Sequence, residues 1–348
     1  VGEGEETFYE LIKAIDENKD LEEVNGIVFR KNNEIIKTKP RELIKNLDEI
    51  PFPARDLLDL KLYESSVTKK VSHENATYLF TSRGCPFDCV YCNAKSMWRR
   101  LTRFRSIQNV VDEIEECINK YNLKEFNIGD ELFTLKEDRV IEICDEIIKR
   151  NLEISWVCMS RVDTISSNMV KKMKEAGCKL ITFGFESGSK EILKNIRKMT
   201  DIDKAEEAVN IVKKEGIGVY GNFMIGNPGE TEETFNETLN FSRKLDLDKA
   251  SFFITVPFPG TDLYNMLKEN GHLDKNLEWS RFSPVSNKYP LLRTDALNGD
   301  DLLKLQKKAF KNFYLRPKFV INQLKKLKSK DDIKDLITGI KLFLKIEK

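Results

Sequence analysis

Short apolar runs alternate with amphipathic stretches through the middle of the chain. The apolar runs are predicted as strands at Thr77–Thr81, Glu125–Ile128, Ile154–Cys158, Lys179–Phe183, Gly218–Met224 and Ala250–Val256. Between them, apolar residues recur at helical spacing near 106–121, 136–150, 166–176, 188–196, 202–215 and 231–245. Strands that alternate with helices are typical of a parallel sheet with helical crossovers. The pattern therefore predicts an α/β fold with six βα units, fewer than the eight of a closed βα barrel.

Residues 1–75 have a different pattern. A helix is predicted near 6–18, and a hairpin-like piece runs from Gly26–Phe29 to Glu34–Thr38. The segment Leu47–Arg55 contains two prolines. It is predicted to be extended, because the residue before a proline avoids the helical region. We therefore expect an N-terminal linker segment ahead of the βα units.

The pattern changes again after about Asn287. Amphipathic helices are predicted over Asp300–Leu315 and Asp331–Ile346, and residues 301–348 carry 14 Lys and Arg against 5 Asp and Glu. A solvated helical face is the simpler interpretation of this basic charge. An anionic substrate, a partner or a membrane surface is the alternative. We thus divide the chain into an N-terminal segment, a core and a C-terminal helical region, at 1–75, 76–287 and 288–348.

The composition is that of a globular protein, with 40% hydrophobic and 33% charged residues among 348. The net charge of +1 gives no overall field that would favour nucleic acid. No apolar run approaches the roughly 18 residues of a membrane span. Four of the seven cysteines lie on separate predicted elements and are interpreted as buried apolar residues. This cysteine usage favours a reducing compartment, so we expect a cytoplasmic protein.

The other three cysteines, Cys85, Cys89 and Cys92, fall within eight residues in the pattern CxxxCxxC. Thiolate is the usual protein ligand of iron–sulfur clusters, and three thiolates leave one iron of a four-iron cluster open. A redox pair would need only two cysteines. A structural zinc needs a fourth ligand, whereas the chain has only His73 and His272 and no second cysteine cluster. The spacing therefore predicts an iron–sulfur site.

This motif resembles the cluster loop of the radical S-adenosylmethionine (radical SAM) superfamily. The resemblance implies a partial (β/α)6 barrel, a [4Fe–4S] cluster on the three cysteines, and SAM bound at the open iron. It also implies cleavage of SAM to a 5′-deoxyadenosyl radical that abstracts hydrogen. Tyr91 matches the family's aromatic position beside the adenine. An electron donor such as flavodoxin or ferredoxin and a small-molecule substrate are implied as partners, but no motif identifies the substrate.

Two charged motifs follow the second and third predicted strands, where parallel sheets collect functional residues. Asp130 and Glu131 match the acids that the resemblance assigns to the SAM amine, and an ordinary acidic loop is the alternative. Arg161 matches an arginine that would hold the SAM carboxylate bidentately. A salt bridge of Arg161 with Asp163 or Glu186 is the alternative.

Two further motifs follow the fourth and fifth strands. The first resembles the family's GxESG segment and contains Glu186, whose family counterpart contacts the SAM ribose hydroxyls, together with Ser187. A turn with Ser187 or Ser189 as helix cap is the alternative, and both can hold together. The second contains Gly226 and resembles the segment beside the adenine. With Val256–Thr261 after the sixth strand, these motifs keep the family's order.

The segments Val1–Phe8, Leu47–Arg55 and Phe313–Pro317 resemble the cobalamin-binding branch of the superfamily. Residues 1–75 would then follow a cobalamin-type domain. The chain has no DxHxxG segment, so cobalamin binding by this chain is doubtful. We expect a radical SAM enzyme with methyl transfer as the leading reaction. Ring formation or rearrangement is the second candidate, and a non-catalytic iron–sulfur electron carrier or scaffold is the third.

Overall fold

The computed structural model of the protein describes residues 1–60, 76–283 and 289–326, and residues 334, 337 and 338. Its N-terminal region begins with α1 (Glu5–Asp16), followed by an antiparallel hairpin of β1 (Val28–Lys31) and β2 (Glu34–Lys37). Asn32 and Asn33 both adopt left-handed φ angles, 49° and 71°. Tight hairpin turns need such angles, and asparagine tolerates them. The helix and hairpin predicted for this region are confirmed.

Buried ion pairs join the N-terminal region to the rest of the protein. Glu3 pairs with Arg83 at 2.7 Å and with Arg103 at 2.8 Å. Arg55 pairs with Glu113 at 2.6 Å, and both side chains are almost fully buried. Removing one partner of such a pair would leave an uncompensated buried charge, which is strongly destabilising. These contacts therefore fix the segment before the sheet in one position.

Within the described residues, the central sheet has six parallel strands. They are β3 (Ala76–Leu79), β6 (Glu125–Ile128), β7 (Ser155–Ser160), β8 (Cys178–Glu186), β9 (Gly218–Ile225) and β10 (Lys249–Ile254). The strands pair in chain order from β3 to β10, and no pairing between these two end strands closes the sheet in this part of the chain. The predicted partial barrel is confirmed. Because all six strands run the same way, their carboxyl ends meet at one edge.

Helices cover the outer face of the sheet. They are α3 (Ile107–Tyr121), α4 (Glu137–Lys149), α5 (Ser167–Glu175), α6 (Lys190–Asn195), α7 (Ala205–Lys214), α8 (Glu232–Lys244) and α9 (Asp262–Glu269). The main buried core lies between this layer and the sheet, and includes Trp156, Phe183 and Phe223. Side chains alternate along a strand, so the intervening positions face the concave side. Val157, Leu180 and Tyr220 form a second, smaller buried cluster.

The C-terminal region covers the edge strand β10 of the sheet. It comprises α10 (Gly299–Tyr314) and α11 (Pro317–Lys326). Tyr314 donates its hydroxyl to the carbonyl of Ala250 at 2.6 Å and accepts the amide of the same residue at 3.1 Å. Such contacts satisfy backbone groups of an edge strand. The predicted helix over Asp300–Leu315 is confirmed, and the one over Asp331–Ile346 lies mostly outside the described residues.

No helix of the described ranges combines the length and apolar composition needed to cross a membrane. The division into three regions at 75 and 287 stays a prediction.

Candidate active site at the carboxyl edge of the sheet

The cysteine loop follows β3 and a two-residue ribbon strand. This strand, β4 (Ser82–Arg83), pairs with β5 (Arg103–Phe104), and α2 (Ala94–Trp98) lies between them. Inside the loop, the buried Val90 donates its N–H to the Ile196 carbonyl at 3.1 Å and accepts from the Leu263 N–H at 2.9 Å. The loop is therefore held between the end of α6 and the start of α9.

The three cysteines of the loop are free thiols, as are the other four. Burial raises the pKa of Cys85 and of Cys92, and the charge of Cys89 would raise both further. Backbone N–H groups of Phe87 and Ala94 act in the opposite direction, because they favour the thiolates. The charges of these thiolates thus oppose one another. An iron cluster would neutralise these charges, since thiolate is the form that binds metal.

The three cysteines of the loop are the residues that would hold a cluster. Across the described parts of the chain, no three His, Cys, Asp or Glu side chains group as ligands of one ion would. Each thiolate of a four-iron cluster binds a different iron, so its sulfurs need not converge on one point. Three cysteines with no fourth ligand leave one iron open to a cofactor.

Glu186 ends β8 beside the cysteine loop. Its Oε1 accepts a hydrogen bond from the Tyr91 hydroxyl at 3.0 Å and pairs with Lys198 Nζ at 3.1 Å. The residue has a left-handed φ of 65°, and β8 shifts register against β9 at this point. Left-handed backbone is costly for a residue other than glycine and clusters at functional sites. Burial, followed by the Glu186 charge, raises the pKa of Tyr91 well above its usual value.

Arg161 follows β7 and is buried. Its guanidinium binds Asp163 bidentately, with Nε to Oδ1 at 2.9 Å and Nη2 to Oδ2 at 2.7 Å, and Nη1 donates to the Lys198 carbonyl at 3.0 Å. The group also lies 3.7 Å from the centre of the Phe87 ring in the cysteine loop. The salt bridge with Asp163 considered from the sequence is thus present. With the contact of Nη2 to the Met199 carbonyl at 3.4 Å, one N–H of Nη1 is left for another ligand. The bidentate hold on the SAM carboxylate expected from the sequence therefore does not fit this arrangement.

The two acids after β6 take different places. Asp130 is 1% exposed, and its carboxylate accepts from the Thr81 amide and from the hydroxyls of Thr81 and Ser82, at 2.6–2.7 Å. Glu131 is partly exposed and accepts from the Gly84 amide at 3.0 Å and from the Trp98 indole at 2.5 Å. Both acids brace the segment that carries the cysteines, and the Glu131 charge also acts to raise the pKa of Cys85.

Ser187 and Gly188, which follow Glu186, contact helix α8. Ser187 is fully buried, and its hydroxyl shares a hydrogen bond with Thr238 of α8 at 2.9 Å and accepts the Ser189 amide at 3.1 Å. A Cβ on Gly188 would lie 2.6–2.8 Å from atoms of α8. The segment therefore brings α8 against the end of β8. The role predicted for Ser187 in SAM binding stays a prediction.

Gly226 follows β9 with a left-handed φ of 87°, and its amide donates to Oε2 of Glu230. A Cβ at this glycine would contact Leu292 and Leu302 of the C-terminal region. Glu230 is fully buried, and burial raises its pKa to about 7. Its other oxygen, Oε1, has no hydrogen-bond partner among the described residues. Contact of Gly226 with the adenine stays a prediction.

Two residues of this edge were not singled out from the sequence. Lys198 lies after α6, in a stretch with no motif. It reaches the site because the chain turns sharply after α6. Glu230 was inside the glycine-rich motif that follows the fifth strand. Its position four residues after Gly226 and just before the helix cap Thr231 was the available signal.

Comparison with known proteins agrees with this geometry. Residues 79–242 match the Radical SAM superfamily. An uncharacterized methyltransferase of Pyrococcus horikoshii, PH0819, is 36% identical over 323 residues, covering 93% of this chain and 68% of that protein. The chain belongs to the radical SAM superfamily. It is a radical SAM enzyme, and the cofactors of the superfamily are a [4Fe–4S] cluster and SAM.

Two more similarities extend over nearly the whole chain. The anaerobic magnesium-protoporphyrin IX monomethyl ester cyclase of Rubrivivax gelatinosus is 29% identical, covering 99% of this chain and 60% of that protein. A solved structure of the cobalamin-dependent S-adenosylmethionine radical enzyme OxsB, with aqua-cobalamin and SAM bound, superposes with a TM-score of 0.72 at 19% identity. That match covers 98% of this chain and 54% of OxsB.

The chain thus spans between 54% and 68% of the length of these three proteins. The family, enzyme class and cofactor pair predicted from the sequence are confirmed. The similarity to OxsB shows that the two proteins share a fold.

Proposed function

We propose that this radical SAM enzyme modifies a small-molecule substrate and that the modification is radical methyl transfer. One observation carries the SAM chemistry of the proposal: Tyr91 of the cysteine loop and Glu186 of β8 meet at 3.0 Å. The cluster ligands and a carboxylate able to bind the nucleoside of SAM therefore share one site. When bound, the [4Fe–4S] cluster supplies the electron that cleaves SAM to methionine and a 5′-deoxyadenosyl radical. The methyl-transfer outcome is supported by the 36% identity with the methyltransferase PH0819.

The residues of the site divide the binding of SAM between them. Cys85, Cys89 and Cys92 hold three irons and leave the fourth for the amine and carboxylate of SAM. Glu186 accepts the ribose hydroxyls through Oε2, because its Oε1 is already bound to Tyr91 and Lys198. A carboxylate that accepts hydrogen bonds from hydroxyl groups forms charge-assisted bonds, which are stronger than bonds between two neutral groups.

The charged side chains around the cysteine loop orient the other end of SAM. Arg161 keeps one N–H of Nη1 for the SAM carboxylate, and Glu131 lies near the expected amine. Asp130 acts indirectly, because its carboxylate holds Thr81 and Ser82, which lead into the cysteine loop, in place. We further propose that Ser187 and Gly226 support the ribose and adenine through the backbone that they shape.

Cleavage of SAM tests the proposal directly. Reconstituted and reduced protein, incubated anaerobically with SAM, is expected to release methionine and 5′-deoxyadenosine in equal amounts. The Cys85→Ala/Cys89→Ala/Cys92→Ala variant should release neither. A matched control is Cys117→Ala/Cys144→Ala/Cys178→Ala, which makes the same change at three buried cysteines outside the loop. Equal activity of the two triple variants would contradict the assignment.

Ring formation is the second candidate, because the Rubrivivax cyclase resembles 99% of this chain. Methyl transfer from SAM leaves S-adenosylhomocysteine, whereas ring formation without methyl transfer leaves only methionine and 5′-deoxyadenosine. Incubation of the full-length protein with candidate substrates and methyl-labelled SAM separates the two. Label in the product together with S-adenosylhomocysteine supports methyl transfer, and an unlabelled cyclic product supports the alternative.

The proposal also includes partners and a compartment. An electron donor such as flavodoxin or ferredoxin would reduce the cluster, and a reducing cytoplasm would keep the seven free thiols reduced. Reduction by flavodoxin, followed through the rate of 5′-deoxyadenosine release, tests the donor. For the basic C-terminal helices, a solvated face remains the simpler proposal than a membrane contact.

A further inference from the structure

Lys198 is a buried ammonium that no catalytic motif accounts for. The residue is 6% exposed, and its Nζ lies 3.1 Å from Glu186 Oε1 and 3.4 Å from the Tyr91 hydroxyl. Its carbonyl accepts the Arg161 guanidinium at 3.0 Å. Lys198 thus contacts three side chains that face the candidate SAM site. A buried ion pair contributes little to stability compared with apolar residues of similar volume, so stability alone gives a weak reason for it.

The backbone around Lys198 aims its side chain inward. Arg197 and Met199, on either side, both have left-handed φ angles, 50° and 52°. Arg197 ends α6 in a Schellman-type turn, in which the Lys198 amide donates to the Leu193 carbonyl at 2.9 Å. The Met199 residue is 77% exposed, and the Arg197 side chain is 50% exposed. Two left-handed residues therefore turn the chain so that only the lysine between them enters the site.

Gly184 leaves room for the ion pair of Glu186 and Lys198. A Cβ at this position would lie 2.4 Å from Glu186 Oε1 and 3.1 Å from Lys198 Nζ. A Cβ at position 184 would therefore displace the Glu186 carboxylate and the Lys198 ammonium from their present positions. Tyr91 and Lys198 both hydrogen-bond to Oε1 of Glu186, and Gly184 leaves space for this oxygen. The described residues offer no hydrogen bond to Oε2 of Glu186.

We propose that Lys198 is a positioning residue for the ribose of SAM, holding Oε1 of Glu186 so that Oε2 faces the ribose hydroxyls. This inference rests on the proposed function, since it requires SAM at this edge of the sheet. Lys198 itself touches neither the ligand nor the reacting atoms. It acts by fixing the direction and the charge of the Glu186 carboxylate.

The test compares SAM with an analogue that lacks the 2′- and 3′-hydroxyls, using anaerobic calorimetry on the reconstituted protein. The original protein is expected to bind SAM at least about tenfold more tightly than the analogue, as a charge-assisted hydrogen bond to a hydroxyl allows. Lys198→Met should bind SAM about tenfold more weakly and distinguish the two ligands by less than about twofold. Iron and sulfide content establishes that each variant keeps its cluster.

Three further variants make the test specific. Lys194→Met, the same change at an exposed lysine of α6, should behave like the original protein. Gly184→Ala keeps both charges but displaces them, and should also lose the distinction between the ligands. In a Glu186→Gln background, Lys198→Met should add no further loss, because a residue that acts only through Glu186 has nothing left to position.

The outcomes separate this inference from the proposed function. Absence of SAM binding by the original protein overturns both. SAM binding without preference over the analogue overturns the positioning role and leaves SAM cleavage standing. A Lys198→Met variant that loses affinity equally for both ligands, or for neither, overturns the inference and returns Lys198 to a structural ion pair.

Discussion

Asp130 binds Thr81 through two hydrogen bonds, one from the amide at 2.7 Å and one from the hydroxyl at 2.6 Å. These contacts connect the loop after β6 to the chain that leads from β3 into the cysteine loop. Because Asp130 is 1% exposed, water cannot replace a lost acceptor. The carboxylate therefore holds the start of the cluster loop in place.

Asp130→Asn should consequently act on stability rather than on SAM affinity. The new NH2 group would face either the Thr81 amide or the hydroxyls of Thr81 and Ser82, depending on which oxygen it replaces. We expect a loss of about 1–3 kcal/mol in unfolding free energy, typical of an unsatisfied buried group. Urea unfolding followed by circular dichroism measures the loss, with the exposed Asp138→Asn as control. Unchanged stability with weakened SAM binding in cluster-loaded protein would instead favour the amine-binding role expected from the sequence.

Gly188→Ala should destabilise the protein by overpacking. The added Cβ would lie 2.6 Å from Phe241 Cβ, 2.7 Å from Thr238 Cα and 2.8 Å from the Glu237 carbonyl, so helix α8 itself must move. Such strain costs about 1–3 kcal/mol. Gly4→Ala, where a Cβ meets no atom within 4 Å, is the control and should lose less than about 1 kcal/mol at its helix N-cap. Equal losses would argue against the packing explanation.

Glu230 should make stability depend on pH with a defined sign. Its pKa is raised from 4.5 to about 7 by burial, so the folded state holds a proton that the unfolded state releases between these values. The resulting stability is fully present below pH 4.5 and is lost as the pH rises through about 7. Glu230→Gln cannot release this proton.

The measurement is therefore a difference between the variant and the original protein. From pH 5 to pH 8, Glu230→Gln should gain in unfolding free energy relative to the original protein, by up to about 3 kcal/mol and levelling off above about pH 7. Urea titrations of both proteins at several pH values give this difference. A constant difference across the range would mean that Glu230 does not titrate there.

The order of helices and strands could be predicted from the sequence. Their hydrophobic periods and their end signals are encoded within a few neighbouring residues. The six predicted strands occur within a few residues of their predicted ends, except that β8 continues to Glu186 where Phe183 was expected. The extension includes the register shift at Gly184 and Glu186, which depends on the neighbouring strand. Periodicity in one segment carries no signal for such a shift.

The site could be predicted only in part. The cysteines and Glu186 are visible because their spacing and order along the chain are themselves the signal. Lys198 could not be predicted as a site residue. Its side chain points inward because Arg197 and Met199 have left-handed φ angles, and the sequence gives no signal for these angles. Asp130 matched a motif by position, but its contacts with Thr81 and Ser82 come from the pairing of β6 with β3.

Cobalamin binding is the last prediction, and it concerns the N-terminal region. Enclosing a corrin ring takes a large complementary surface. The apolar side chains on the outer face of α1 are instead open, with Phe8, Tyr9, Ile12 and Ile15 between 50% and 68% exposed. The cobalt-binding pattern DxHxxG is also absent from the sequence. We therefore expect this 348-residue chain to bind hydroxocobalamin more weakly than micromolar, although OxsB shares its fold.

Titration of hydroxocobalamin, followed by its absorbance and by calorimetry, checks this expectation. The Phe8→Ser/Ile12→Ser variant is a useful control, because weak binding to the open face of α1 would disappear with these side chains. Stoichiometric binding at about −8 kcal/mol or stronger, which is micromolar affinity, would show that the barrel and the C-terminal region suffice to hold the corrin. In that case methyl transfer through cobalamin could be tested on this chain without any further domain.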